Sequence, residues 1–419
     1  MKIGILCTGD EILTGKTVNT NYSHIAARLV ELGFDVHWGA TVGDDRRSLL
    51  QAMKLASSSS DVVIVNGGLG PTLDDLTQEM AAHTAGVGFV LHREWLERIE
   101  RWYRARGRGM PDNNRKQALL PEGSELIDNP IGTACGFALD IGSARFFFTP
   151  GVPGELFRML DEQIIPRLQA MRGGSLLTRV KRFHSFGIGE SRADGMLAEA
   201  ARMAARSDVR LGFQSHYPQL ETKLAVRSES GPDAETILGP IENEVRARLG
   251  NFIVCEDNDT IEGGICRMLQ ESGECVSVVE MHTAGRINGR LLCAAGHPEV
   301  VRTGMASMAV EEILGFFDLP SPDMASPADA GRIASRACER NASTHGLAVL
   351  TEPYADEAGG RGIDVHIGIS GNGAVVRRRS RLPGRPDWTR IGAVELGLDC
   401  LRRFLSGLPV DERIDFEQH

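Results

Sequence analysis

Three glycines and two adjacent carboxylates sit close together in Asn66-Gly67-Gly68-Leu69-Gly70-Pro71-Thr72-Leu73-Asp74-Asp75. Glycines let backbone N–H groups approach a phosphate with no Cβ in the way, whereas a carboxylate meets an anion only across a divalent cation. Phosphate, metal and carboxylate therefore form one expectation for this stretch. The plain alternative is a glycine-rich turn in which an aspartate caps a helix over 76–85.

The elements before the loop decide what can converge on it. Val62-Val63-Ile64-Val65 is an uninterrupted β-branched run, which predicts a strand over 61–65 buried on both faces. A strand over 2–7, a helix over 21–32, a strand over 34–42, a helix over 46–56 and a polar turn over 57–60 precede it. Strand and helix alternating at this spacing mean right-handed βαβ units and a mainly parallel sheet. Ligands of such sheets lie beyond the carboxyl ends of the strands, here 8–11, 43–45 and 67–75. Each end carries glycine with Asp or Glu, which brings Glu11 and Asp44 to the same edge as Asp74 and Asp75. Arg115 and Lys116 offer the positive charge a diphosphate needs, Arg115 with a planar guanidinium suited to bidentate contact. Two further Gly/Pro turns span 129–134 and 149–155, the second after a strand over 145–148.

A helix over 162–172 closes this part, and Gly173-Gly174-Ser175 reads as a linker. An alternating segment over 178–186, a helix over 190–205, strands over 209–216 and 220–228 and a helix over 232–249 make a small α+β module. Ser191 or Glu190 is expected to cap the first of these helices. A third α/β region follows, with a helix over 261–272, a strand over 276–279, long helices over 299–317 and 327–341, and a Pro/Ser connector over 321–327. Strands over 347–350 and 364–369 and a helix over 391–406 complete it. The expected domains are 1–172, 176–256 and 260–408.

A formal net charge of −10 argues against a dedicated nucleic-acid binder, and Arg377-Arg378-Arg379-Ser380-Arg381 is read as a solvated strand or hairpin. The eight cysteines are scattered without a C-x-x-C pair, so neither zinc nor a disulfide framework is indicated and a reducing cytoplasm is expected. No apolar run reaches the ~18 residues of a membrane span. The expected partner is a small-molecule nucleotide, with no nucleic acid and no membrane, and a homodimer is the expected assembly.

Over nearly its whole length the chain resembles the competence/damage-inducible protein A (CinA) family. The resemblance rests on Gly9-Asp10-Glu11-Ile12-Leu13 with Gly15, Val18-Asn19-Thr20-Asn21, Thr41-Val42-Gly43-Asp44-Asp45, the 67–75 loop, Asn114-Arg115-Lys116-Gln117-Ala118, the 129–134 turn and Pro150-Gly151-Val152-Pro153. It implies an N-terminal three-layer domain of molybdopterin-binding type, a small middle domain and a C-terminal domain like nicotinamide-nucleotide amidases. It also implies metal-dependent hydrolysis of ADP-ribose to AMP and ribose 5-phosphate. The cofactor expected is a divalent metal, Mg²⁺ first. On this reading Asp74, Asp75 and Asp44 hold the metal, with one of the adjacent pair touching it directly. Asp75, Asp44 and Glu11 are the catalytic candidates, Glu11 as second choice of ligand or base. Gly67, Gly68, Gly70, Thr72, Asn21 and Arg115 meet the substrate.

The C-terminal region departs from the family where amidase chemistry occurs. Amidases of this type read Ala-Glu-Ser-Cys-Thr-Gly-Gly, and the matching residues are Val279-Glu280-Met281-His282-Thr283-Ala284-Gly285. A thioether replaces the nucleophilic hydroxyl, and Met308-Ala309-Val310 and Ile313 stand where the family has tyrosine and lysine. His282 is expected to be a satisfied turn histidine, and neither it nor Cys293 has a base beside it in sequence. The loop 351–362 is also altered. The domain is therefore expected to keep its fold without the amidase centre. Deamidation of nicotinamide mononucleotide is the disfavoured alternative, and a pterin- or nucleotide-binding protein without turnover is the non-enzymatic one.

Overall fold

The computed structural model describes residues 1–173, 177–228, 230–296, 299–320, 325–355 and 361–418. The chain divides into two compact units, Met1–Arg179 with Arg227–Ala234, and Val180–Val226 with Glu235–His419. The second unit takes in most of the two segments expected as middle and C-terminal domains.

The first unit is built on a six-stranded sheet in the order Val36–Val42, Ile3–Thr8, Val62–Asn66, Ala144–Thr149, Gly136–Ile141, Glu125–Ile127. The first four strands run parallel, Gly136–Ile141 runs against them, and Glu125–Ile127 pairs antiparallel with Gly136–Ile141. Successive strand side chains point to opposite faces, and both faces are covered. Ile3, Ile5, Val62 and Ile64 pack with Ile25, Leu29, Leu156 and Leu160, while Leu6, Val63, Val65 and Phe148 pack with Leu49, Met53, Met80 and Trp95. Removing each Ile or Val from water contributes roughly 1.5–3 kcal/mol, which explains why the β-branched run is apolar at every position rather than alternating. The result is the expected three-layer α/β arrangement.

Two local expectations in this unit change. Ser57, Ser58 and Ser59 are not a turn but the last turn of the helix Arg46–Ser59, where their hydroxyls donate back to Lys54 O and Leu55 O at 2.8–3.0 Å. The helix expected over 162–172 begins earlier, at Pro153, and runs through a π turn at Leu160–Ile164 into Ile165–Arg172. Gly174 and Ser175 of the expected linker lie outside the described residues.

A four-stranded sheet, largely in the second unit, runs Arg210–His216, Gln219–Ser228, Leu177–Phe186, Ile253–Glu256. The helix expected over 190–205 breaks at Leu197 into Glu190–Met196 and Ala198–Arg206. Neither Ser191 nor Glu190 caps it. The Gly189 N–H donates instead to Asp415 Oδ2 at 2.8 Å, a partner 226 residues away. A five-stranded sheet follows in the order Val301–Ser307, Val276–Met281, His345–Ala355, Arg361–Gly371, Ala374–Pro383. The helix expected over 299–317 is thus an edge strand and a short helix, Val310–Phe316. Burial alternates along Val301–Ser307, and a Cβ on Gly304 would lie 2.0 Å from Asn288 Oδ1, so close approach at that point requires glycine. Part of the Pro/Ser connector, 321–324, and part of the altered loop, 356–360, lie outside the described residues. The arginine run is a strand as expected, but Arg378 is buried rather than solvated, donating to Val410 O at 2.6 Å and paired with Glu417.

Glu256 ties this unit's first sheet to its long helix. It accepts from Lys181 Nζ at 2.7 Å and Arg246 Nε at 2.8 Å, and these cations hold its carboxyl at about 2 against an ordinary 4.5. A depressed carboxyl pKa adds stability above the unfolded value and loses it as pH falls toward the folded one. Glu256→Gln should therefore lower the Tm at pH 7, by a modest amount because the group is part-exposed. The deficit against wild type should shrink as pH is lowered from about 4.5 to about 2; a deficit independent of pH would assign the loss to packing.

Candidate active site of the N-terminal unit

The site starts from one buried amide. Asn66, 1 % exposed at the carboxyl end of Val62–Asn66, donates Nδ2 to Pro150 O at 2.7 Å and Thr149 Oγ1 at 3.1 Å. Its Oδ1 accepts from Asn21 Nδ2 at 2.9 Å, and the same Asn21 nitrogen donates to Gly151 O at 2.7 Å. Asn21 lies in the first turn of Thr20–Glu31, a helix capped by Asn19 accepting from Tyr22 N. Two side chains thus join the glycine loop, this helix and the 149–154 turn.

The glycine loop is shaped by the protein's own side chains. Gly67 and Gly68 have φ of +112° and +68°, and a Cβ on Gly68 would lie 2.1 Å from the buried Thr77 Oγ1. A Cβ on Gly70 would lie 2.4 Å from Asp75 Oδ2, an oxygen that already accepts from Thr72 N at 2.8 Å and from the Thr72 hydroxyl. Lys116 Nζ clamps the loop by donating to Thr72 O at 2.7 Å and Asp75 O at 2.5 Å. The absent side chains at 68 and 70 make room for Thr77 and Asp75, a use of glycine that the phosphate expectation did not include.

The remaining carboxylates form one charged wall. Asp10 N donates to Asp44 Oδ2 at 3.1 Å and Asp44 N to Asp10 Oδ1 at 3.2 Å, a reciprocal lock between the first two strand ends. Burial raises the Asp44 carboxyl pKa, and the like charges of Asp10, Glu11 and Asp74 raise it further. Asp74 moves the other way, held below the usual carboxylate range by the Thr72 hydroxyl and Lys116.

Together these elements line a cavity of about 630 Å³. Of the residues expected at the site, Glu11, Asn21, Asp44, Gly67, Gly68, Gly70, Asp74 and Asp75 line it. Two do not. Thr72 is turned onto Asp75, and Arg115 lines a separate surface depression with Arg104 and Arg108. The expected bidentate cation is therefore absent from the wall, and its neighbour Lys116 serves the loop backbone. Thr8, Asn66 and Glu155 lie in stretches the sequence singles out but were expected to have no role of their own. The signal for Glu155 was the 149–155 turn, noted without a chemical role. Glu155 Oε2 accepts from Asn129 Nδ2 at 2.7 Å, and burial raises its carboxyl pKa.

The second unit has its own cavity, about 400 Å³, lined by His282, Met308, Thr351, Tyr354 and Arg390 among others. Met281 is buried in the core with Ile313. His282, at φ +61°, bonds through Nδ1 to Thr351 O at 2.8 Å, the satisfied turn histidine expected. Glu280 is fully buried and accepts from Thr283 Oγ1, from Ile287 N at 3.2 Å and from Asn288 N and Nδ2 at 3.0 and 2.6 Å.

Residues 4–170 match the family described as probable molybdopterin binding domain, and residues 180–254 match the damage-inducible protein CinA KH domain. The first unit is thus a molybdopterin-binding-type domain followed in the chain by a KH domain. The CinA-like protein of Shewanella amazonensis is 34 % identical over 418 residues, covering 97 % of this chain and 96 % of the relative. That of Geotalea uraniireducens is 31 % identical over 422 residues, covering 99 % of this chain and 100 % of the relative. This chain belongs to the CinA family. Among solved structures it is similar to the protein CinA of Thermoplasma acidophilum, with 34 % identity, a TM-score of 0.37, and coverage of 39 % of this chain and 96 % of that one.

The amide hub has a measurable weight. Asn66→Ala leaves Pro150 O without its donor and Asn21 Nδ2 with one acceptor fewer, and an unsatisfied buried group costs about 1–3 kcal/mol. Chemical denaturation of the variant should show a loss of that size in the transition of the first unit; a loss within about 0.5 kcal/mol, the scale of ordinary surface changes, would mean that the hub is not what joins the three segments.

Proposed function

We propose that the N-terminal unit hydrolyses a nucleotide diphosphate of the ADP-ribose type, water adding to one phosphorus and the bridging P–O bond breaking to give AMP and ribose 5-phosphate. The observation that carries this reading is one cavity at the carboxyl ends of parallel strands, with a glycine loop on one wall and Asp44, Asp74 and Glu11 on another. In sheets of this kind that edge is where ligands bind.

The carboxylates fit a divalent ion of the Mg²⁺ kind. Such an ion is usually held by one or two carboxylates plus substrate phosphate rather than by a protein cage. Among the described residues no three His, Cys, Asp or Glu side chains form a cage, while the burial and neighbouring like charges that raise the Asp44 pKa are what a cation there would offset. Asp44 and Asp74 are the residues that would hold it. Bound there, the ion would screen the diphosphate charge and lower the pKa of a coordinated water. Because Oδ2 of Asp75 already accepts twice from Thr72, we assign this residue to the loop ahead of the metal, although it lines the cavity. It positions the loop instead, and Lys116 keeps that loop in place from below.

Asp44→Asn and Asp74→Asn should each reduce AMP release from ADP-ribose by ~10²-fold or more, the scale of one preorganised electrostatic contact. The melting curve should remain cooperative, because both groups act through charge. Wild-type turnover in both variants, measured with Mg²⁺ present, would overturn the assignment.

For the C-terminal domain we propose no amidase activity, on the residue types at three positions. Acyl transfer through a hydroxyl needs the oxygen and a base beside it, and Met281, Met308 and Ile313 provide neither. The full chain incubated with nicotinamide mononucleotide should release ammonia well below ~1 s⁻¹, the lower end of ordinary enzyme turnover. A rate at or above it would make this domain an enzyme with a different nucleophile.

A further inference from the structure

Two side chains that line the N-terminal cavity, Asn21 and Glu155, carry acceptor oxygens with no cation beside them. Asn21 is 7 % exposed and its orientation is settled by its neighbours, since Gly151 O can only accept and so the amide nitrogen must face it. Asn66 is settled in the same way by Pro150 O, which leaves Asn66 Oδ1 facing the Asn21 nitrogen. The remaining atom, Asn21 Oδ1, is buried with no hydrogen-bond partner among the described residues. An unpaired buried acceptor is costly, and this residue lines the cavity.

Glu155 lines the same cavity in the first turn of the helix that begins at Pro153. Asn129 holds Glu155 Oε2 with Nδ2, and is itself fixed by donating to Ala134 O at 2.7 Å and accepting from Ile131 N and Gly132 N at 3.2 and 3.0 Å. A Cβ on Gly132 would lie 2.2 Å from Glu155 Oε2, so the turn is shaped around this carboxylate. Asn129 is the one partner recorded for it among the described residues, and that partner is neutral.

Acceptors without a cation repel phosphate oxygens and attract O–H donors. A nucleoside diphosphate sugar offers such donors in one neutral place, its sugar hydroxyls. We propose that Asn21 Oδ1 and Glu155 each accept a hydroxyl of a ribose ring, so that the site reads the sugar as well as the diphosphate. This rests on the hydrolase reading above and adds the part of the substrate that sets selectivity. Glu155 is a specificity residue here, and the reacting phosphorus lies elsewhere.

The test compares ADP-ribose with two analogues, one lacking the 2′-hydroxyl of the adenosine ribose and one lacking the corresponding hydroxyl of the terminal ribose. Each is assayed on wild type, Glu155→Gln and Glu155→Leu, with melting curves to verify the fold. Glu155→Gln should raise KM for ADP-ribose roughly tenfold or more, the weight of a hydrogen bond to a charged group, with kcat within a few-fold. One analogue should show the same penalty on wild type and no additional penalty on the variant, which identifies the ribose that is read. Glu155→Leu should repeat the pattern more strongly. Unchanged KM in both variants, a fall in kcat alone, or additive penalties for both analogues would overturn the sugar assignment while leaving hydrolysis in place. A wild-type protein that does not cleave ADP-ribose with Mg²⁺ would overturn the hydrolase reading, and this inference with it.

Discussion

The buried amide of Asn66 is the interaction on which the N-terminal site depends. The strand before it is apolar on both faces, so its side-chain pattern alone penalises a one-residue slip only weakly. Polar groups at the strand's end supply the missing register. Asn66 stands opposite Thr149 in the ladder and donates to its hydroxyl, while Asn21 reaches Asn66 from a helix more than forty residues earlier in the chain. A slip would carry the amide into hydrocarbon and leave carbonyls unpaired, at a cost comparable to burying one large side chain in the wrong place.

From that hub outward the loop conformations follow a common device, in which a glycine without a side chain lets a neighbouring polar group fold across its Cα. Asp75 does so at Gly70, Asp10 at Gly43, Glu11 at Gly9 and Glu155 at Gly132. Four carboxylates are thereby placed by backbone geometry rather than by cations. Two of them, Asp10 and Glu11, lie near Asp44, whose carboxyl pKa is raised by burial and by these like charges, and a wall of this kind suits a cation and a phosphorylated ligand together.

In the second unit a buried carboxylate organises the start of a helix. Glu280 keeps four acceptor contacts, to a hydroxyl, to backbone N–H groups at the start of Arg286–Ala294 and to the Asn288 amide, so it caps that helix from inside the core. Its neighbour at position 281 has no such duty, and a methionine there fills core volume beside Ile313.

Sequence alone determined what local periodicity and residue type can encode. The β-branched run, the helix spacing around Ile25 and Leu29 and the Gly-plus-carboxylate strand ends specified a mainly parallel α/β domain with its site at one edge, and Asp44, Asp74 and Asn21 stand there. The absence of a hydroxyl at 281 was equally legible. Tertiary structure decided the rest, wherever a residue's partner lies far along the chain. Lys116 rather than Arg115 serves the loop, because that contact depends on the approach of segments some forty residues apart. The strand at Val301–Ser307 was invisible because an edge strand draws its pairing from Val276–Met281, and its own residues carry no strong period. Gly189 is capped by Asp415, a choice no local pattern could foretell. Glu155 was passed over for the same reason, since a carboxylate in a Gly/Pro turn acquires meaning only when folding removes it from water beside Asn129 and faces it toward the cavity.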